Sequence, residues 1–114
     1  MSQEQLDELQ ATGRLPATGE TFTSPTRQFS EDYNGRVVEI RVQPGTTAQL
    51  AAIGVRDQSA IVAAAYPNMP SVSSGWPAQN AFFKGEGQQI NIGLGRGTAL
   101  ETFNNNITGV RVLR

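Results

Sequence analysis

Histidine and cysteine are both absent from this 114-residue chain. Their absence excludes disulfides, thiol nucleophiles, Cys/His zinc sites and every histidine-based acid–base mechanism. Carboxylates, Arg, Lys, Tyr, Ser and Thr are the reactive groups that remain, and no metal site is expected. A surplus of either charge is missing too: 9 Lys+Arg against 10 Asp+Glu leave a net charge of −1. A whole-surface grip on nucleic acid needs a basic excess, so only a local basic patch stays open. Long apolar runs are the third absence. Nothing approaches the roughly 20 residues that span a bilayer, and no signal-peptide apolar core is present. Membrane insertion by this domain is therefore not expected, and export would need upstream sequence or a dedicated secretion machine.

What is present suits one core. Single domains of about 100 to 150 residues are the commonest size, and an apolar fraction of 38% is enough to fill one. Twelve Gly and six Pro point to a turn-rich fold rather than a helical bundle. With no internal repeat and no compositional boundary, residues 1–114 read as a single domain.

The chain opens with helix signals. Ser2 with Gln5 makes a capping box, Met1 and Leu6 are placed as a hydrophobic staple, and Gly13 is a natural stop. Residues 14–23 read as extended. Ser24-Pro25 then offers a second helix start, with Phe29 and Tyr33 four apart on one face and Asn34-Gly35 as its end. RVVEIRVQ (36–43) alternates: Val38, Ile40 and Val42 point one way, Glu39, Arg41 and Gln43 the other, as in a half-exposed strand. Thr46 with Gln49 looks like a capping box for a short helix. SAIVAAA (59–65) is apolar enough for a buried strand, with a helix as the alternative. Residues 66–77 form the longest loop and carry the single tryptophan. NAFFK (80–84) and QQINIGL (88–94) read as strands joined through Gly85-Glu86-Gly87. Thr98 to Glu101 gives a third capping box for a helix to about Asn105, and GVRVL (109–113) closes as a strand. The order predicts an α+β domain with a mainly antiparallel sheet.

Several residues carry candidate chemistry, each beside a structural role. Glu86 sits between two glycines, where a substrate can approach the backbone closely; the same pattern suits an exposed hairpin tip. Ser24 can bind a ligand at a helix start or simply cap it. In Gly93-Leu94-Gly95-Arg96-Gly97, glycine amides, a helix N-terminus and Arg96 can cradle a phosphate, and a tight turn accounts for the same residues. Tyr66, Trp76, Phe82 and Phe83 can stack a base or pack a core. Phe82 and Phe83, being adjacent on a strand, must face opposite sides.

EQLDELQATGRL (4–15) and TFTSPTRQFSEDYNGRVVEIRVQPGTTAQL (21–50) together resemble ADP-ribosyltransferase-like toxin domains at the C-termini of polymorphic bacterial toxins, of the Rhs and contact-dependent-inhibition type. The resemblance rests on Thr23-Ser24-Pro25, the Phe29 to Tyr33 helix, the Val37 to Val42 strand and Pro44-Gly45-Thr46. It covers the first half best; AFFKGEGQQINIGLG (81–95) occupies the place of the family's catalytic glutamate. It implies that Ser24, with Thr23, supports the nicotinamide-ribose strand. Glu86 would be the catalytic carboxylate, with Gln88 in the motif's partner position. Arg14 and Arg27 stand nearest to the family's arginine, and Tyr33 and Arg96 complete the expected NAD-contacting set.

NAD is then a substrate. A carboxylate beside the anomeric carbon lowers the barrier to an oxocarbenium-like transition state as nicotinamide leaves. The sequence departs from the family at two points: no arginine-bearing strand precedes the Met1 helix, and Glu-x-Glu is here Glu86-Gly87-Gln88. The second departure directs attention to an acceptor other than protein arginine, or to plain NAD hydrolysis. The resemblance also implies a secreted or delivered effector acting in the target-cell cytoplasm on a cellular acceptor, protein or RNA, and restrained by a cognate immunity protein. Two other classes compete. A metal-independent ribonuclease toxin of the barnase or colicin kind would use Lys84, Glu86, Arg96 and Thr98. A non-catalytic binding module is the third reading.

Overall fold

A computed structural model describes residues 1–17, 22–23, 36–72, 76 and 79–113. The helix read from Ser24-Pro25 onward, with Ser24, Arg27, Phe29 and Tyr33, lies outside the described residues. The first helix forms as α1 (Gln3–Thr12). The Gln5 N–H donates to the Ser2 hydroxyl at 3.2 Å, and the Ser2 N–H donates to Gln5 Oε1 at 2.9 Å, which closes the capping box. Gly13 stops the helix at φ 73°, its N–H donating to the Leu9 carbonyl at 2.7 Å. Glycine takes this left-handed cap without a Cβ penalty.

Among the described residues six strands follow: β1 (Phe22–Thr23), β2 (Val38–Val42), β3 (Gly54–Arg56), β4 (Ala81–Glu86), β5 (Gln89–Gly93) and β6 (Ile107–Val112). Three further helices of the described residues lie between them: α2 (Thr46–Ala52), α3 (Ala60–Ala65) and α4 (Thr98–Asn105). The strands form a four-stranded sheet in the order β1-β5-β4-β3 and a two-stranded sheet of β2 and β6. All pairings are antiparallel except β3 with β4, so the domain is α+β with a mainly antiparallel arrangement. The parallel joint needs a crossover, and α3 lies in it.

The alternation of β2 survives folding. Val38, Ile40 and Val42 pack against the core, while Glu39 meets Arg111 of β6 at 3.3 Å and Arg41 at 3.5 Å on the other side. The core is centred on β4. Phe83 is fully buried among Leu9, Leu50, Val62 and Leu94, and its ring meets Tyr66 edge-on at 4.9 Å. α4 contributes Ala99, Leu100 and Phe103. Its buried Asn104 acts as a backbone mimic toward residue 15, accepting the Leu15 N–H at 2.8 Å and donating to the Leu15 carbonyl at 3.1 Å. That double bond fixes the exit of α1 against α4.

Four expectations are corrected. Residues 59–65 form a helix from Ala60, not a buried strand. An unbroken apolar run carries no period, the alanines favour helix, and in α3 only Val62 is buried. The capping boxes at Thr46 and Thr98 do not form: Gly45 and Gly97 are the N-caps, without side-chain cap bonds. Thr46 instead donates its hydroxyl back to the Gln43 carbonyl at 2.6 Å. The β4–β5 turn is Gly87-Gln88, so Glu86 lies on the strand and pairs with Gln89 rather than forming the tip. Lastly, β3 was not anticipated; three residues beginning with glycine carry no readable alternation.

Candidate active site on the outer face of the hairpin

The β4–β5 hairpin displays two faces. Gly87 has φ 62° and is the only central turn residue with positive φ, the pattern of a two-residue type II′ connection that matches strand twist. Register then dictates what each face carries. Ala81, Phe83 and Gly85, with Ile90 and Ile92 opposite, face the core. Phe82, Lys84 and Glu86 point to the other side, where Lys84 lies opposite Asn91 and Glu86 opposite Gln89.

That outer face combines charge, amides and an aromatic stack. Lys84 Nζ lies 2.9 Å from Glu86 Oε1, with side chains 45% and 34% exposed, so the pair is within reach of solvent and of a ligand. Gln89 Nε2 donates to Asn91 Oδ1 at 3.0 Å, and Asn91 is itself buried. Trp76 stacks on Phe82 at 5.1 Å with the rings 20° from parallel. Phe82 and Glu86 are four strand residues apart, about 13 Å at roughly 3.3 Å per residue.

The backbone between Lys84 and Glu86 is held from behind. Asp57 continues the β3 ladder by donating its N–H to the Phe83 carbonyl at 3.1 Å. Its carboxylate then takes the next donor: Oδ2 accepts the Gly85 N–H at 3.0 Å. Oδ1 accepts the Ser59 N–H at 3.0 Å and the Ser59 hydroxyl at 2.6 Å. Burial alone raises the Asp57 pKa, but the Ser59 hydroxyl, the Ser59 and Gly85 amides and the Lys84 charge outweigh it and hold the carboxyl below its ordinary value. A Cβ on Gly85 would lie 2.7 Å from Ile61 Cγ2 and 2.8 Å from Ser59 Cβ, so glycine is required for this close approach.

The residues singled out from the sequence are dispersed. Glu86 and exposed Gln88 share the hairpin end. Thr23 pairs with Ile92 and so belongs to the core-side face, its hydroxyl 3.5 Å from the Ile92 carbonyl. Arg14 follows α1, where it donates to Asn105 Oδ1 at 3.1 Å as a tether to α4. Arg96 is exposed in the turn after β5, with Thr98 starting α4, at the end of β5 away from Glu86. Of the ribonuclease set, Lys84 and Glu86 therefore come together, while Arg96 and Thr98 stand apart from them. Ser24, Arg27 and Tyr33 lie outside the described residues.

Asp57, Gln89 and Asn91 were not singled out. Asp57-x-Ser59 ahead of an apolar run is the signature of an Asx turn entering a helix, and that signal was legible. Its contact with Gly85, 28 positions away, was not.

A protein-family model described as PT3 toxin domain matches residues 1–112. No curated protein matches the chain.

Proposed function

The chain belongs to the PT3 toxin domain family, and from the geometry of the hairpin's outer face we propose that its toxicity is enzymatic, with NAD as substrate and Glu86 as the catalytic carboxylate. The carrying observation is the Lys84–Glu86 pair at 2.9 Å, displayed from a paired strand on the same face as the Trp76–Phe82 stack. Cleavage breaks the bond between the ribose anomeric carbon and the nicotinamide nitrogen, and the electron pair leaves with nicotinamide. Glu86 faces the positive charge that develops on the ribose, in a position fixed before the substrate arrives. Water or an acceptor nucleophile then adds to the anomeric carbon and gives up its proton. Lys84 supplies a cation for the pyrophosphate, and the stack, about 13 Å away along the strand, suits a ring at the far part of a dinucleotide.

A ribonuclease is the second reading, favoured by the same ion pair. Glu86 would take the proton of a ribose 2′-hydroxyl as its oxygen attacks phosphorus, and Lys84 would stabilise the charged phosphorane. The P–O5′ bond would then break, with the 5′-oxygen taking a proton from water. The net charge of −1 weighs against it, because RNA binding draws on basic excess. In both readings the domain is the active part of a delivered effector working in the target-cell cytoplasm. Its expected partner is an immunity protein covering this face. Among the described residues no helix is long and apolar enough to cross a membrane.

The test is to incubate the purified domain with NAD, alone and with cell lysate, and separately with total bacterial RNA. Free nicotinamide with RNA intact supports the NAD reading. Fragmented RNA with NAD intact transfers the assignment to the ribonuclease.

A further inference from the structure

We propose that Asp57 is a positioning residue for this site: its carboxylate clamps the Gly85 peptide and thereby sets where the Lys84 and Glu86 side chains stand. The inference rests on the reading of Glu86 as the catalytic carboxylate. The β3 ladder pairs with β4 only as far as Phe83. Beyond that point the β3 side of β4 has no strand partner among the described residues, and Asp57 Oδ2 substitutes for one at 3.0 Å. The bonded N–H belongs to the Lys84–Gly85 peptide, and Gly85 is the residue between the two charged ones. A strand alternates its side chains strictly, so fixing the Gly85 backbone fixes the direction in which both neighbours leave it.

The clamp has its own support. Ser59 gives Oδ1 two hydrogen bonds, at 3.0 and 2.6 Å, which leaves Oδ2 oriented toward Gly85. The missing Cβ of Gly85 lets Ser59 and Ile61 of the crossover close directly onto the strand. Glu86 is followed at once by the Gly87-Gln88 turn, so beyond Gly85 its backbone is held by the hairpin pairing with Gln89. A small rotation of the Gly85 peptide would swing the carboxylate away from the reacting carbon while leaving the core residue Phe83 in place.

The experiment compares wild type, Asp57→Asn, Ser59→Ala and Glu86→Gln by steady-state kinetics of nicotinamide release. Asp57→Asn is isosteric but cannot accept from both Gly85 and Ser59. It is expected to lose about 10²-fold in kcat, the scale of an ångström-sized misplacement, with a smaller rise in KM as Lys84 shifts from the pyrophosphate. Ser59→Ala removes the hydroxyl bond to Oδ1 but keeps the Ser59 N–H bond and the Gly85 contact, and is expected to lose clearly less kcat than Asp57→Asn. If both variants lose kcat equally, or Asp57→Asn keeps it, the proposal is overturned.

Should Asp57→Asn fail to fold, Asp57→Ser keeps a turn bond to the Ser59 amide without reaching Gly85, and is read the same way. Loss of folding in both makes Asp57 a stability residue only and overturns the proposal. Wild type inert on NAD defeats the substrate reading, not the clamp. The clamp is then judged by the ¹³C carboxyl signal of Glu86, which Asp57→Asn should shift more than Ser59→Ala; a signal unmoved in Asp57→Asn overturns it.

Discussion

Phe83 and Asp57 show how differently single residues declare themselves. Phe83 was legible as a strand aromatic with one buried face, because an adjacent Phe82 must point the other way. Truncating it removes a fully buried ring from the centre of the core, so Phe83→Ala should cost about 3–5 kcal/mol, read from the urea midpoint. Asp57 gave only a local turn signal. Its value lies in a carboxylate held below the ordinary 3.8 by Ser59, Gly85 and Lys84 against the opposing effect of burial. A depressed carboxyl contributes stability that is full above the unfolded value and lost as pH falls through the folded one. Wild type should therefore unfold at higher urea than Asp57→Asn near neutral pH, and the gap should begin to close only as pH falls below about 3.8. Parallel curves down to acid pH would contradict this. Gly85→Ala drives a methyl into Ser59 and Ile61, and should cost about 1–3 kcal/mol through overpacking, again by urea melt.

Elements were legible where period or capping was unambiguous. The β2 alternation and the Ser2–Gln5 capping box appear as read. Residues 59–65 leave strand and helix both open, with strand preferred, because an apolar run without polar interruptions cannot report its period; they form a helix. The helices at Thr46 and Thr98 exist, but glycines Gly45 and Gly97 hold the cap positions; the threonines fitted a sequence rule whose geometry lies one residue earlier. The hairpin turn lies later than read, because β4 runs two residues past Lys84 and leaves Gly87-Gln88 as the turn. That displacement matters, since it moves Glu86 from an exposed tip onto a paired strand. The turn itself is testable: a Cβ on Gly87 meets nothing within 4 Å, so Gly87→Ala should cost only its backbone penalty, about 1–2 kcal/mol. A larger loss in a denaturant melt would mean that the turn packs against something further.

For the whole molecule, composition excluded more than it identified. The lack of histidine and cysteine confined any catalysis to carboxylates, lysine, arginine and hydroxyls, and the outer face of the β4–β5 hairpin presents such groups. Their assembly was invisible in the sequence because it depends on the parallel crossover that brings residue 57 against residue 85. Family membership establishes the toxin; the use of NAD through Glu86 is the claim most in need of test. The direct measurement is the NAD content of cells during induced cytoplasmic expression of the domain, wild type beside Glu86→Gln. The account predicts that NAD collapses and growth stops with wild type, while both persist with a folded Glu86→Gln protein. Growth arrest at undiminished NAD, or arrest by Glu86→Gln equal to wild type, would contradict it.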